Sequence, residues 1–218
     1  MLTKDYIMRM INTLSKVLGK LLLMKESKYY HEAFDEIDKV TKELFGLDRE
    51  FINSLSDSQL LKMISISETL LPSNCYALGV LLKEEAEIFS LLCDHEKSSE
   101  MYERSFNLFV EGLKNSSVMI EEGQLTKIDN VAEILEKSSI SVETEINFAY
   151  YYEFTGKFDK AEDLIYDLID FDTKYITEGI KFCERLLSKE DSTLILGNLP
   201  RKEITNSLLF LKNKLKGA

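Results

Sequence analysis

Three stretches of the chain place similar residues at the same seven relative positions, and such a pattern leaves few folds open. In "INFAYYYEFTGKFDKAEDLIYDLI", Ala149, Tyr152, Gly156, Phe158, Ala161, Ile165 and Leu168 stand at positions 0, 3, 7, 9, 12, 16 and 19. In "EEAEIFSLLCDHEKSSEMYERSF" the same positions hold Ala86, Phe89, Cys93, His95, Ser98, Tyr102 and Ser105. In "KLLLMKESKYYHEAFDEIDKV" they hold Leu21, Met24, Lys28, Tyr30, Ala33, Ile37 and Val40. Apolar residues at three- and four-residue steps on both sides of a polar or glycine position describe two amphipathic helices joined by a tight turn. A small residue at position 12 lets the helices cross closely, and an aromatic at position 9 is expected to seal the pair.

The rest of the chain reads the same way. Tyr6 to Met24 carries a broad apolar stripe. Lys28 to Phe45 runs to Gly46, a C-terminal stop. Asp48 to Leu55 is a short helical candidate. Ser56 and Gln59 form a capping-box pattern that opens a helix expected to last to Leu71, before Pro72. Further helices are expected over Tyr76–Cys93, Glu96–Leu113, Gln124–Lys137, Val142–Phe154, Phe158–Ile169, Thr173–Ser188 and Arg201–Lys216. With two prolines, nine glycines and hardly any strand-like alternation, the chain reads as all-α. No linker marks a second domain, so 1–218 is read as one helical domain: an amphipathic helix over 1–26, hairpins over 14–45, 79–112 and 142–170, and a basic helix over 201–218.

The shared register resembles the tetratricopeptide repeat, a helix-turn-helix unit. Residues 142–170 match best, 79–112 substitute Cys93 and Ser98 for the glycine and alanine, and 14–45 match least, with Leu21 and Lys28 departing from it. Ala33, Ser98 and Ala161 lie 65 and 63 residues apart, so extra helices separate the hairpins. One extra helix would reverse the chain before the next pair, unless Asp48–Leu55 restores the parity in the first gap. An irregular helical array is therefore expected. The opening "KDYIMRMINTLSKVLGKLL" is similar to the start of a bacterial family of unknown function whose members begin with a D-Y-I-M-R stretch.

Charge narrows the partners. The formal net charge is −11, and an acidic body repels phosphates, so no nucleic-acid partner is expected. Residues 1–28 carry six basic and two acidic side chains, and residues 201–218 five and one, leaving the middle strongly acidic. Cys75, Cys93 and Cys183 form no C-x-x-C pair and are read as buried small hydrophobes in a reducing cytoplasm. Lys16 and Lys20 interrupt the first apolar stretch and no small-residue cleavage site follows, so no signal peptide is expected, and no run approaches the roughly 18 residues of a membrane span.

Catalytic signatures are absent from the sequence: no G-x-S-x-G, phosphate loop, H-E-x-x-H or EF-hand loop occurs. His31 and His95 lie near turns, where packing is the expected role, and "CDH" lacks the second pair a tetrahedral metal site needs. No enzyme activity, cofactor or metal is expected. The tetratricopeptide resemblance implies that the first helix of each hairpin faces a partner. That assigns partner binding to Lys83, Glu87, Asn147, Tyr150 and Glu153, with Ser90 and Ile146 beside them, and one of Tyr150 and Tyr151 outward. The Lys and Asn pattern with which the family grips a chain-terminal carboxylate is missing. The acidic, tyrosine-bearing surface instead suits a basic or amphipathic protein or peptide. Packing against the extra helices is the competing reading of the same residues. Ile7, Met10, Leu14, Val17 and Leu21 form a helical seam; it packs on the chain's own second helix, joins a second copy as a homodimer, or touches an anionic membrane, in falling order of expectation. The function expected is a non-enzymatic interaction module, with a small-ligand or peptide-pheromone sensor as the alternative.

Overall fold

The computed structural model describes residues 2–66, 71–116 and 122–217. Among them the chain forms twelve α-helices, and no β-strand, in two compact units, Met1–Ser139 and Ile140–Ala218. The all-α expectation is met.

The first unit holds α1 (Leu2–Glu26), α2 (Tyr30–Phe45), α3 (Arg49–Ser54), α4 (Asp57–Met63), α5 (Pro72–Leu91), α6 (His95–Lys114) and α7 (Glu122–Leu135). The second holds α8 (Val142–Phe154), α9 (Phe158–Phe171), a 3-10 turn at Thr173–Tyr175, α10 (Ile176–Leu187), α11 (Asp191–Leu196) and α12 (Arg201–Gly217).

The register seen in the sequence becomes one backbone motif. Position 7 of each hairpin, Lys28, Cys93 and Gly156, is left-handed, with φ of 61°, 62° and 77°. In each, the next N–H closes back onto the carbonyl of position 3: Tyr29 onto Met24 at 2.8 Å, Asp94 onto Phe89 at 2.9 Å, Lys157 onto Tyr152 at 2.8 Å. This satisfies a helix-end carbonyl and reverses the chain. Asn198, with φ 57° and the bond from Leu199 N to Leu194 O, joins α11 to α12 the same way. Positions 0, 12, 16 and 19 are buried in all three hairpins. The sealing aromatic is not general: Phe158 is buried, Tyr30 half-buried and His95 exposed.

In α5/α6 the crossing is hydroxyl-bonded. Ser98 Oγ donates to Ala86 O at 2.9 Å, and Ser105 Oγ to Gly79 O at 2.7 Å. Both pairs sit in antiparallel register, one small residue against another, so the backbones can come within hydrogen-bond reach of a serine. A Cβ on Gly79 would lie 2.7 Å from the Phe109 ring.

The first gap contains two short helices rather than one long one. The expected helix over 56–71 does open with the Ser56–Gln59 capping box, but α4 ends at Met63. Residues 67–70 of that expectation lie outside the described residues. The physical reason is local: Ile64, Ser65 and Ile66 are poor helix formers, and the Asn74 side chain takes up Ile64 O at 2.7 Å. Two short helices restore the parity. Tyr6 of α1 bonds Asn74 of α5 at 3.3 Å, and Lys25 of α1 pairs with Glu84 of α5 at 2.6 Å. The lower-numbered contacts pair with each other and so do the higher, so α1 and α5 run parallel.

Buried polar groups fix α3 and α4 to α5 and α6. Arg104, 7 % exposed, donates to Ile52 O, Leu55 O and Asp57 at 3.0–3.1 Å. Glu85 is fully buried and accepts from Arg49 at 2.6 Å and Asn53 at 3.3 Å, while Arg49 also stacks 4.1 Å over the Phe34 ring.

In the second unit α9, α10 and α12 share one core around Ile165, Ile169, Phe182, Leu186 and Leu211. Short α11 was not expected from the sequence. It brings Gly197 against the α8/α9 turn: Asp159 N donates to Gly197 O at 3.2 Å, and Asn198 donates to the Asp159 carboxylate at 3.1 Å.

Candidate functional site

Helices α1, α5 and α7 leave a half-open groove of about 430 Å³ in the first unit. From α1 come Ile7, Met10, Ile11, Leu14, Ser15 and Leu18. From α5 come Ser73, Tyr76, Ala77 and Val80, and from α7 Gly123, Gln124 and Lys127. These spacings follow from helix geometry: each set recurs at three- and four-residue steps and so occupies one face. The lining from Ile7 to Leu18 spans about 16 Å of α1 at 1.5 Å per residue. Ile11 within it is 48 % exposed, and the apolar stripe continues past it to Leu22, 55 % exposed.

Beyond Leu18 and Val80, on the same two helices, lies a compact charge network. Lys25 reaches Glu84 at 2.6 Å and also pairs with Glu87; Lys83 pairs with Glu87 and lies 3.2 Å from Glu84. Two cations and two anions cancel. Burial disfavours the Lys25 ammonium, yet its bonds to Glu84 and Glu87 outweigh this and raise its pKa. For Glu87, burial is likewise overcome by Lys25 and Lys83, and its pKa falls below the usual range. Burial first, then the Glu87 charge, pushes the Tyr102 phenol up to about 12.

Of the residues expected to meet a partner, Lys83 is thus spent on Glu84 and Glu87, and Glu87 on Lys83 and Lys25. Asn147 is buried and Tyr150 half-buried in α8. Glu153 accepts from Arg185 of α10 at 2.7 Å, and its side chain is 12 % exposed. Arg185 also reaches Glu178 at 3.1 Å, and the Glu153 hydrogen bonds raise its pKa. Tyr151 does not face outward: at 1 % exposure it is among the largest fully buried side chains, packed on Phe148 and Tyr152. The five residues fall in different units, two in the first and three in the second.

The N-terminal seam is spent inside the protomer. Met10, Leu14, Val17 and Leu21 are 0–7 % exposed, packed in the first unit, because α1 lies against both α2 and α5. Ile7 is half-buried at the groove. Ile7, Met10 and Leu14 of the seam also line the groove. Cys93 also departs from its reading: it is exposed at the α5/α6 turn, while Cys75 and Cys183 are buried thiols raised to about 12 by desolvation. Sequence reasoning missed the groove because its walls come from helices far apart in the chain. The helical spacing of Ile11, Leu18 and Leu22 was its available signal.

Among the described residues no group of three or more His, Cys, Asp or Glu could hold a metal ion, and no helix is long and apolar enough to cross a membrane.

Fold and groove define an all-α protein built from antiparallel helix pairs. A family model matches residues 1–216, and the chain belongs to that family, described as a family of unknown function, DUF6483. No curated protein and no solved structure matches the chain.

Proposed function

We propose that the first unit is a non-enzymatic, tetratricopeptide-like interaction module whose α1/α5/α7 groove receives the apolar face of an amphipathic protein segment. One observation carries the reading: the first helices of two hairpins lie parallel and leave an apolar groove open beside them. Its lining contains no histidine, cysteine or carboxylate, so the chemistry it supports is binding rather than bond making. A groove three helical turns long suits helix-in-groove recognition, with anchors spaced along one face. Unpaired cysteines support a reducing, cytoplasmic setting.

A small-ligand sensor is the second reading, favoured by a volume within the usual range of small-molecule pockets. Peptide display on the full chain separates them, with hydrogen exchange locating the bound peptides. Enriched amphipathic peptides that protect 7–18 and 73–80, and are lost on Ile11→Arg, support the module. Peptides that protect other segments, or an unenriched library, would reject it.

A further inference from the structure

The groove differs in charge from the unit around it. Residues 1–139 carry sixteen basic and twenty-four acidic side chains, yet the lining has one charge, the cation Lys127. Lys127 is half-buried and has no ion-pair or hydrogen-bond partner among the described residues. Its neighbours on that face of α7, Gly123 and Asn130, supply no acid. Along α5 the nearest carboxylates are Glu84 and Glu87, and both are committed to Lys25 and Lys83. Among the described residues, an occupant therefore meets a strip of mostly apolar side chains with one positive charge, Lys127, on its wall. A basic segment would bury a like charge there, whereas an acidic one would neutralise it.

The stripe on α1 also outlasts the groove, through Leu22, so it suits a polypeptide longer than a compact ligand. On the reading that the groove is a docking site, we infer that its partner is an acidic amphipathic helix, with leucine-like anchors at helical spacing and a carboxylate placed over Lys127. This reverses the basic charge expected of a partner from the acidic, tyrosine-bearing hairpin surface. The reversal has a physical cause: no carboxylate lines the groove, and Glu84 and Glu87 beyond it are already paired.

The test uses the full chain and two labelled helical peptides with the same leucine face, one with glutamates and one with lysines on its polar face. Fluorescence anisotropy is expected to favour the acidic peptide by roughly tenfold at low salt. Lys127→Glu should invert that preference, Lys127→Gln should abolish it, and Ile11→Arg should weaken both peptides. Lys127 and Ile11 are surface-accessible, and circular dichroism checks that each variant is folded. Binding of both peptides with equal affinity, unaffected at Lys127 but lost with Ile11→Arg, would overturn the acidic partner and leave the docking site standing. Binding indifferent to Ile11→Arg, or none, would overturn both. Vesicles of phosphatidylglycerol that bind with the same Ile11 and Lys127 dependence, while the acidic peptide does not, would assign the groove to a membrane surface instead.

Discussion

Hairpins α5/α6 and α8/α9 reverse the chain with the same left-handed turn, but each is locked at a different place. In α5/α6 the turn is exposed, with Cys93 and His95 at the surface, and the grip lies along the crossing through Ser98, Ser105 and Gly79. In α8/α9 buried Ala149 and Ala161 hold the positions of Ala86 and Ser98, and the turn itself is gripped, by Gly197 and Asn198. The same local chemistry thus makes a hairpin whose first helix can be sandwiched among neighbours, as α5 is. It also makes one whose turn is a docking point. The groove arises only in the first case, where α5 has α1 running beside it.

The largest way to break this contrast is Gly197→Ala. Its Cβ would lie 2.2 Å from the Phe158 ring and 2.6 Å from Gly156 O, so a backbone shift at the gripped turn is required. A loss of about 3 kcal/mol is expected in chemical denaturation of the second unit. Gly79→Ala should cost about 2 kcal/mol, since Phe109 must rotate away and the Ser105 contact to Gly79 O loosens. Ser98→Ala should cost about 1 kcal/mol, the ordinary worth of one buried hydrogen bond. At the turns the signs diverge. Gly156→Ala forces a Cβ into φ 77° and should destabilise by about 1 kcal/mol, while Cys93→Gly relieves φ 62° at an exposed site and should stabilise by a few tenths. Equal effects at both turns would erase the distinction.

The smallest effect is on pH dependence. Glu87 titrates below its ordinary range in the folded chain. Its contribution is therefore complete above the unfolded glutamate pKa and is lost as pH falls through the lower folded value. Lys25 has the opposite sign: its contribution holds below the unfolded lysine pKa and fades as pH rises through the raised folded value. Glu87→Gln should flatten the acid limb of a stability–pH curve and leave its neutral plateau lower.

The hairpins were legible in the sequence because their code is local: small residues at positions 0 and 12 and a turn at position 7 act within one helix pair. The left-handed turn was legible at Gly156 but not at Lys28 or Cys93, where nothing in the residue type demands it. α4 was overextended because the capping box marks only a start. Glu153 and Glu87 read as surface-facing because the sequence does not say which distant charge, Arg185 or Lys25, arrives to pair with them. The groove needed three helices more than fifty residues apart in places, and Ile11 and Leu22 read as one broad stripe with the buried seam.

The parallel run of α1 and α5 is what makes the groove, and nuclear Overhauser contacts in a selectively labelled sample measure it directly. Parallel helices predict contacts from the Tyr6 ring to the Asn74 side chain and from the Lys25 methylenes to Glu84 and Glu87. Contacts joining Tyr6 to Glu84 or Glu87, with Lys25 near Asn74, would contradict it.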